Sequence, residues 1–226
     1  MPAEGPLRDG NGPDFGLIET LRWEPAAGFV RLERHLARLS RSVAELGFGY
    51  EPARIDRALA GVGGGAPLRV RLLLSREGAA DVTAQPFVPL PENAVWTLRI
   101  AATRLGSGDP LLRHKTTRRD VFQRARAEFS PDEADEVILL NENGLACEGT
   151  ITSLFADLGD GGPLRTSPLS CGLLPGVLRG ELLDTGEARE AELTPADLMR
   201  AKRLFVGNSL RGLIVARLSE DSAADF

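Results

Sequence analysis

The chain has 226 residues, 42% hydrophobic and 26% charged, enough for one large domain or two smaller ones sharing a core. A net charge of −5 argues against nucleic acid or an anionic membrane as the main partner, and no apolar run reaches the length of a membrane span. Two cysteines, Cys147 and Cys171, and two histidines, His35 and His114, exclude a disulfide framework and a metal site built on Cys or His.

Residues 1–14 are rich in Gly, Pro and acid and read as a loose arm. They contain no apolar signal core, so a cytoplasmic location is expected. Phe15 to Trp23 is a strand candidate, with Pro25 and Gly28 making the turn after it. Leu36, Leu39, Val43 and Leu46 then recur at helical spacing until Gly47 stops the run; Arg34, Arg38 and Arg41 lie off that stripe. A second helix is expected over Pro52 to Leu59. Gly61 to Gly65 lacks the Lys and Ser/Thr of a phosphate-binding P-loop and reads as a connection.

Leu68 to Leu74 and Ala80 to Phe87 form a hairpin around Glu77-Gly78. Pro86, Pro89 and Pro91 mark a domain linker. Val95 to Ala102 resumes strand character, and Arg113-His114-Lys115-Thr116-Thr117 leads into a helix from about Arg118 to Phe129. Val137 to Leu140 is short enough for a buried strand, Asn143-Gly144 supplies a tight turn, and Ile151 to Phe155 reads as the next strand. Ser170 to Arg179 is a turn entering a helix at about Val177. Ala188 to Leu193 is a strand, Thr194-Pro195 caps a short helix, and Leu204 to Val206 and Leu213 to Leu218 are the last strands, joined by a polar turn from Asn208 to Gly212.

Several residues in this order carry chemistry. Glu148, followed by Gly149, is a lone carboxylate between two buried strands, costly unless a cation or a proton meets it. It is either a strand-edge acid paired with an arginine or a carboxylate holding a proton on a heterocyclic nitrogen. Lys115 is either an exposed lysine in a basic patch or, with its pKa depressed by Arg113, Arg118 and Arg119, a nucleophilic amine. Arg38 is either a solvated helix arginine paired with Glu33 or Glu45 or a phosphate fork. Leu174-Pro175-Gly176-Val177 starts a helix whose free N–H groups suit a phosphate, and Ser209 adds a hydroxyl. A Schiff-base lysine, a carboxylate for a ring nitrogen and three phosphate-binding elements together are what pyridoxal 5′-phosphate requires.

Five motifs then fall in order: His-Leu-Ala-Arg-Leu (35–39), His-Lys-Thr-Thr (114–117), Glu-Gly-Thr-Ile-Thr-Ser-Leu-Phe (148–155), Leu-Leu-Pro-Gly-Val-Leu-Arg (173–179) and Gly-Asn-Ser-Leu-Arg-Gly (207–212). In these the chain resembles the class IV aminotransferases, the fold-type IV pyridoxal-phosphate enzymes, from about Phe15 to Leu218. The resemblance implies an α/β fold of α+β type in two domains with the cofactor in the cleft between them. These are a small N-terminal α/β domain over residues 1–91, with the phosphate-binding Arg38, and a larger, strand-rich C-terminal domain over 92–226, with the Schiff-base Lys115. It implies that Glu148 pairs with the pyridine nitrogen and that Arg38, the N–H groups of Val177 and Leu178, and Ser209 hold the phosphate. Leu174 packs on the cofactor ring, and the enzyme is a homodimer.

Within the family, His-Lys-Thr-Thr, Ser-Cys-Gly-Leu-Leu-Pro-Gly and Asn-Ser-Leu-Arg-Gly are most similar to the 4-amino-4-deoxychorismate lyases. These make 4-aminobenzoate and pyruvate on the route to folate. By that resemblance Lys115 moves protons, Thr20 aligns with a hydroxyl near the cofactor, and Arg211 contacts a substrate carboxylate. The chain departs from common family residues at Arg118, Phe122, Ser153 and Leu178. A branched-chain or D-amino-acid aminotransferase uses the same Lys115 and Glu148, and a catalytically silent relative is the third alternative.

Overall fold

The structure, a computed structural model, describes residues 15–219; the arm expected over residues 1–14 lies outside them. The chain divides into two compact units. One comprises the residues up to Phe87 together with Lys115–Arg119, and the other Val88–His114 with the residues from Asp120 onward. Helices are few and strands many, a mixed α+β architecture. Among the described residues no helix is long and apolar enough to cross a membrane.

In the first unit β1 (Leu17–Glu24), β2 (Gly28–Phe29), β3 (Leu68–Leu74) and β4 (Ala80–Pro86) form an antiparallel sheet in the order β2-β1-β3-β4. Strand alternation sends Leu17 and Leu21 to the same face as Val70, Leu72 and Leu74. Helices α1 (Leu32–Leu46) and α2 (Pro52–Ala60) cover that face with Leu39, Val43, Ile55 and Leu59. Gly47 ends α1 with φ 68°, a left-handed turn that explains why the helical pattern stops there. The opposite face carries Thr20 and Arg22, which stand across from Arg71 and Arg69 of β3. Lys115–Thr117 runs along β1 on the edge away from β3. The Ile18 N–H donates to the Lys115 carbonyl at 2.8 Å, and the Thr117 N–H to the Gly16 carbonyl at 2.9 Å.

In the second unit six strands close on themselves. These are β5 (Val95–Leu105), β6 (Glu136–Asn141), β7 (Ala146–Gly149), β8 (Ser153–Asp157), β11 (Arg203–Asn208) and β12 (Gly212–Leu218), joined in the ring β5-β6-β7-β8-β11-β12. The short strands β9 (Leu164–Thr166) and β10 (Ala188–Glu190) extend the sheet outward from β8. Closure removes the edges that an open sheet would expose. The barrel interior is filled by Trp96, Leu98, Ile138, Leu140, Leu154, Val206, Ile214 and their neighbours, with Leu198 of α5 (Pro195–Arg200). Thr194 caps α5 through a reciprocal capping box with Asp197.

Outside the barrel, α3 (Asp120–Ala127) packs over Ala101, Val137 and Leu139, while α4 (Val177–Asp184) packs over Phe155 and Phe205. The register of β5 against β6 slips between Ile100 and Arg104. The Glu128 carboxylate accepts the Ala102 and Thr103 N–H groups that the slip releases from the ladder.

The main departure from the sequence reading is in the hairpin. The chain leaves the Asn143-Gly144 turn into β7, a strand with no β-branched residue, and only then reaches β8 at Ser153. Glu148 therefore lies within a strand, not between two. The short β2 and β9 were not expected, and the strand expected from Ala188 to Leu193 ends at Glu190.

Candidate active site

In the first unit the alternation of β1 points Glu19 toward α1, in the same row as Leu17 and Leu21. His35 and Arg38, three residues apart on one face of α1, converge on it. Arg38 Nε donates to Glu19 Oε1 at 2.9 Å and Nη2 to Oε2 at 2.5 Å, while His35 Nδ1 lies 2.6 Å from Oε2. All three side chains are buried. Burial alone would push the Glu19 carboxyl up. The Arg38 charge, with hydrogen bonds from His35 and Arg38, outweighs burial and lowers it to about 2. Arg38 is thus buried rather than solvated, and it is held by Glu19. Its partner comes from the neighbouring strand, because its side chain points inward beside Leu39.

Lys115 and Thr20 belong to the same unit. Lys115 is half-buried, and the backbone pairing of its segment with Gly16 and Ile18 fixes its place along β1. Thr20, also half-buried, lies two residues further along that strand.

In the second unit a register shift decides where Glu148 faces. Leu140 pairs with Ala146 but Leu139 with Glu148, so β7 carries one extra residue at Cys147. Ala146 points into the barrel, whereas Glu148 shares the outer face with Leu139 and, across β8, with Ser153. The buried Glu148 Oε1 accepts the Leu174 N–H at 3.1 Å. From Leu174 the chain runs through Pro175 and Gly176 into α4, whose first residues have no side-chain cap. Helix geometry leaves the N–H groups of Val177 and Leu178 without acceptors inside the helix.

Small residues let this helix start come close to the barrel. A Cβ at Gly176 would meet the Ser153 hydroxyl at 2.5 Å, and one at Gly207 would meet Leu178 at 2.9 Å. Ser209 is buried in the turn after Gly207. Asn208 braces that turn, accepting the Arg211 N–H and donating from Nδ2 to the Ile151 carbonyl at 3.2 Å. Thus Glu148, Leu174, Val177, Leu178 and Ser209, expected to act together, are linked through one outer end of the barrel. Arg211 is placed differently: its guanidinium lies over the Trp96 ring, 5.9 Å from the centroid.

Sequence reading passed over three residues. Glu19 and His35 fix Arg38. Glu136 fixes the turn after Glu148, its carboxylate accepting the N–H groups of Val137, Thr150 and Ile151 and the hydroxyls of Thr150 and Thr152. Thr-Ile-Thr after Gly149 was the available signal, since two hydroxyls beside a glycine turn suit a buried acceptor.

Comparison with known proteins follows the same outline. The family model Amino-transferase class IV matches residues 16–218. A candidate amino-acid aminotransferase from Mesorhizobium loti is 56% identical over 91% of this chain and 100% of its own, with a TM-score of 0.89. The 4-amino-4-deoxychorismate lyase from Pseudomonas aeruginosa is 26% identical over 91% of this chain and 83% of its own, with a TM-score of 0.77. A hypothetical aminotransferase from Mycobacterium tuberculosis in its PLP-bound form shares the fold, at 20% identity over 90% of this chain and 81% of its own and a TM-score of 0.75. The search of curated proteins found no match.

Proposed function

This chain belongs to the amino-transferase class IV family, whose members are pyridoxal-phosphate-dependent enzymes, and on that premise we propose that it is a lyase. Its substrate is 4-amino-4-deoxychorismate and its products are 4-aminobenzoate and pyruvate. The observation that carries the cofactor reading is the buried Glu148 carboxylate held by the Leu174 N–H, at the approach to an uncapped helix start. The residues fit the group. Glu148 offers an acceptor for a protonated ring nitrogen. Val177 and Leu178 offer N–H groups, and Ser209 a hydroxyl, for a phosphate, where Gly176 and Gly207 keep side chains out of the way. Arg38 adds a planar cation for the same phosphate.

When bound, the cofactor supplies an electron-withdrawing ring in covalent linkage to the substrate amine. Lys115 would hold the cofactor aldehyde through its Nζ, which is free once the substrate amine is joined in its place. Its freed Nζ then takes the proton from the amine-bearing carbon. Loss of that proton and of the neighbouring enolpyruvyl oxygen's bond to the ring would make the six-membered ring aromatic, and the enolpyruvate would take a proton on its methylene carbon to become pyruvate. Glu148 would accept a hydrogen bond from the pyridine nitrogen and favour its protonated form. Thr20 supplies a hydroxyl on the substrate side, and Arg211 a cation for a substrate carboxylate. The enzyme acts as a homodimer in the cytoplasm.

The lyase reading is supported by His114-Lys115-Thr116-Thr117 and Asn208-Ser209-Leu210-Arg211-Gly212. The second reading, an amino-acid aminotransferase, is favoured by the 56% identity to the protein from M. loti. Incubating the purified protein with cofactor and 4-amino-4-deoxychorismate, with no keto acid present, separates them. Pyruvate released in step with 4-aminobenzoate is the expected result, and its loss in Lys115→Ala ties it to that amine. Turnover that requires an amino-acid and keto-acid pair would replace the lyase with the aminotransferase.

A further inference from the structure

We infer that Glu19 and His35 are positioning residues that hold the Arg38 guanidinium in the orientation from which it binds the cofactor phosphate. This inference rests on the cofactor reading above and concerns two residues to which that reading gives no part. Three observations lead to it.

The first is geometric. Glu19 takes the Nε and Nη2 edge of Arg38 in a two-point grip at 2.9 and 2.5 Å. A guanidinium is a rigid planar fork, so fixing one edge fixes the plane and the direction of the opposite, Nη1 side. The second is that the grip is itself held. His35 Nδ1 sits 2.6 Å from Glu19 Oε2, the same oxygen that receives Arg38 Nη2, so the carboxylate cannot rotate without breaking two contacts. His35 and Arg38 are also locked together by the turn of α1 that carries both. The third is burial. Glu19 and His35 are each 1% exposed and Arg38 5%, so the arrangement is shielded from competing water.

Charge alone argues in the opposite direction. An anion beside the cation that is to bind a phosphate weakens the local positive field. A buried carboxylate there makes sense only if orientation gains more than the charge loses. That conflict gives a sharp test, because the two effects predict opposite signs. Glu19→Gln removes a negative charge but keeps the shape. On charge alone it should bind phosphate more tightly; if Glu19 orients Arg38, it should bind more weakly.

The experiment measures dissociation constants of the cofactor-free protein for pyridoxal 5′-phosphate and for pyridoxal, which has the same aldehyde and ring but no phosphate. Binding is followed by tryptophan fluorescence and by the visible absorbance of the lysine-bound aldehyde. Glu19→Gln and His35→Leu are expected to weaken pyridoxal 5′-phosphate by about tenfold, the scale set by freeing one long side chain at a binding site. Pyridoxal should change by about twofold or less. Glu19→Gln added to Arg38→Lys should cost little more than Arg38→Lys alone, since both act on one contact. His35→Asn, which can still donate to Glu19, should recover most of the affinity that His35→Leu loses, and it serves as the folded control if Glu19→Gln does not fold. Equal weakening of both aldehydes, or phosphate-form affinity as tight as or tighter than wild type, overturns the inference. A wild type that takes up neither aldehyde overturns the cofactor reading with it, so the two failures are told apart by the wild-type measurement.

Discussion

Acid should act on this protein through Glu19 before it acts on most of its core. The Glu19 carboxyl is lowered from 4.5 to about 2: burial opposes its charge, and the Arg38 charge and the hydrogen bonds from His35 and Arg38 more than offset that. At 1.36 kcal/mol per tenfold, that fall is worth about 3 kcal/mol of folding stability. The sign follows from where each state binds protons. The folded-state value is the lower one, so the contribution is complete above about pH 4.5–5 and drains away as the pH falls toward 2. About 2 kcal/mol of it should be gone at pH 3. The assay is urea unfolding of wild type and Glu19→Gln at pH 6 and pH 3, followed by far-ultraviolet circular dichroism. At pH 6 the variant should be less stable by about 3 kcal/mol, because it leaves a buried arginine without its anion. At pH 3 that gap should shrink to about 1 kcal/mol, because the unfolded wild-type chain then binds a proton at Glu19 that the folded chain still largely excludes. The acids Glu77, Glu133, Glu142 and Asp157 also titrate low, but they do so in both proteins and cancel in the difference. A gap of unchanged size at pH 3 would refute the account of Glu19.

Glu136→Leu should lower stability by about 3–5 kcal/mol, because it strips the acceptor from buried donors on Thr150 and Thr152 and from the Ile151 N–H. A urea titration giving a loss under about 1 kcal/mol would mean that water replaces the carboxylate. Cys147 and Cys171 are buried thiols, both pushed up by burial, with each other's charge or nearby acids adding to it. Neither should react with a disulfide reagent in the native protein at pH 8, and both should react once it is unfolded; rapid native labelling would contradict their placement in the core.

Several elements of both units could be read from local signals. The apolar stripe of α1 and its stop at Gly47, the β3–β4 hairpin around Gly78 and the Thr194-Pro195 start of α5 each depend on residues within a few positions of one another. What the sequence hid is non-local. Ala146-Cys147-Glu148-Gly149 carries no strand signal of its own; it is a strand because β6 and β8 hold it from either side and close the barrel. The direction of Glu148 depends on one extra residue opposite β6, which no alternation pattern reveals. Arg38 pairs with Glu19 because α1 lies on the sheet face toward which that strand residue points.

The stretch from Glu136 to Phe155 contains two buried acids, and the bonds already made by Glu136 bear on which of them we assign to a ligand. A carboxylate has roughly four lone-pair sites. Glu136 already receives five donors, three on Oε1 and two on Oε2, all from its own strand and the turn at 150–152. It is saturated by the fold it supports, so a protonated ring nitrogen could reach it only by displacing a buried N–H or hydroxyl. Glu148 is anchored by the Leu174 N–H on Oε1, from the segment that goes on to form the uncapped start of α4. One acid shapes the turn and the other is bound to the loop that leads into α4. Serving a ligand through Glu136 would mean displacing donors that hold the 150–152 turn, which favours Glu148 for the ring-nitrogen role that we propose for it.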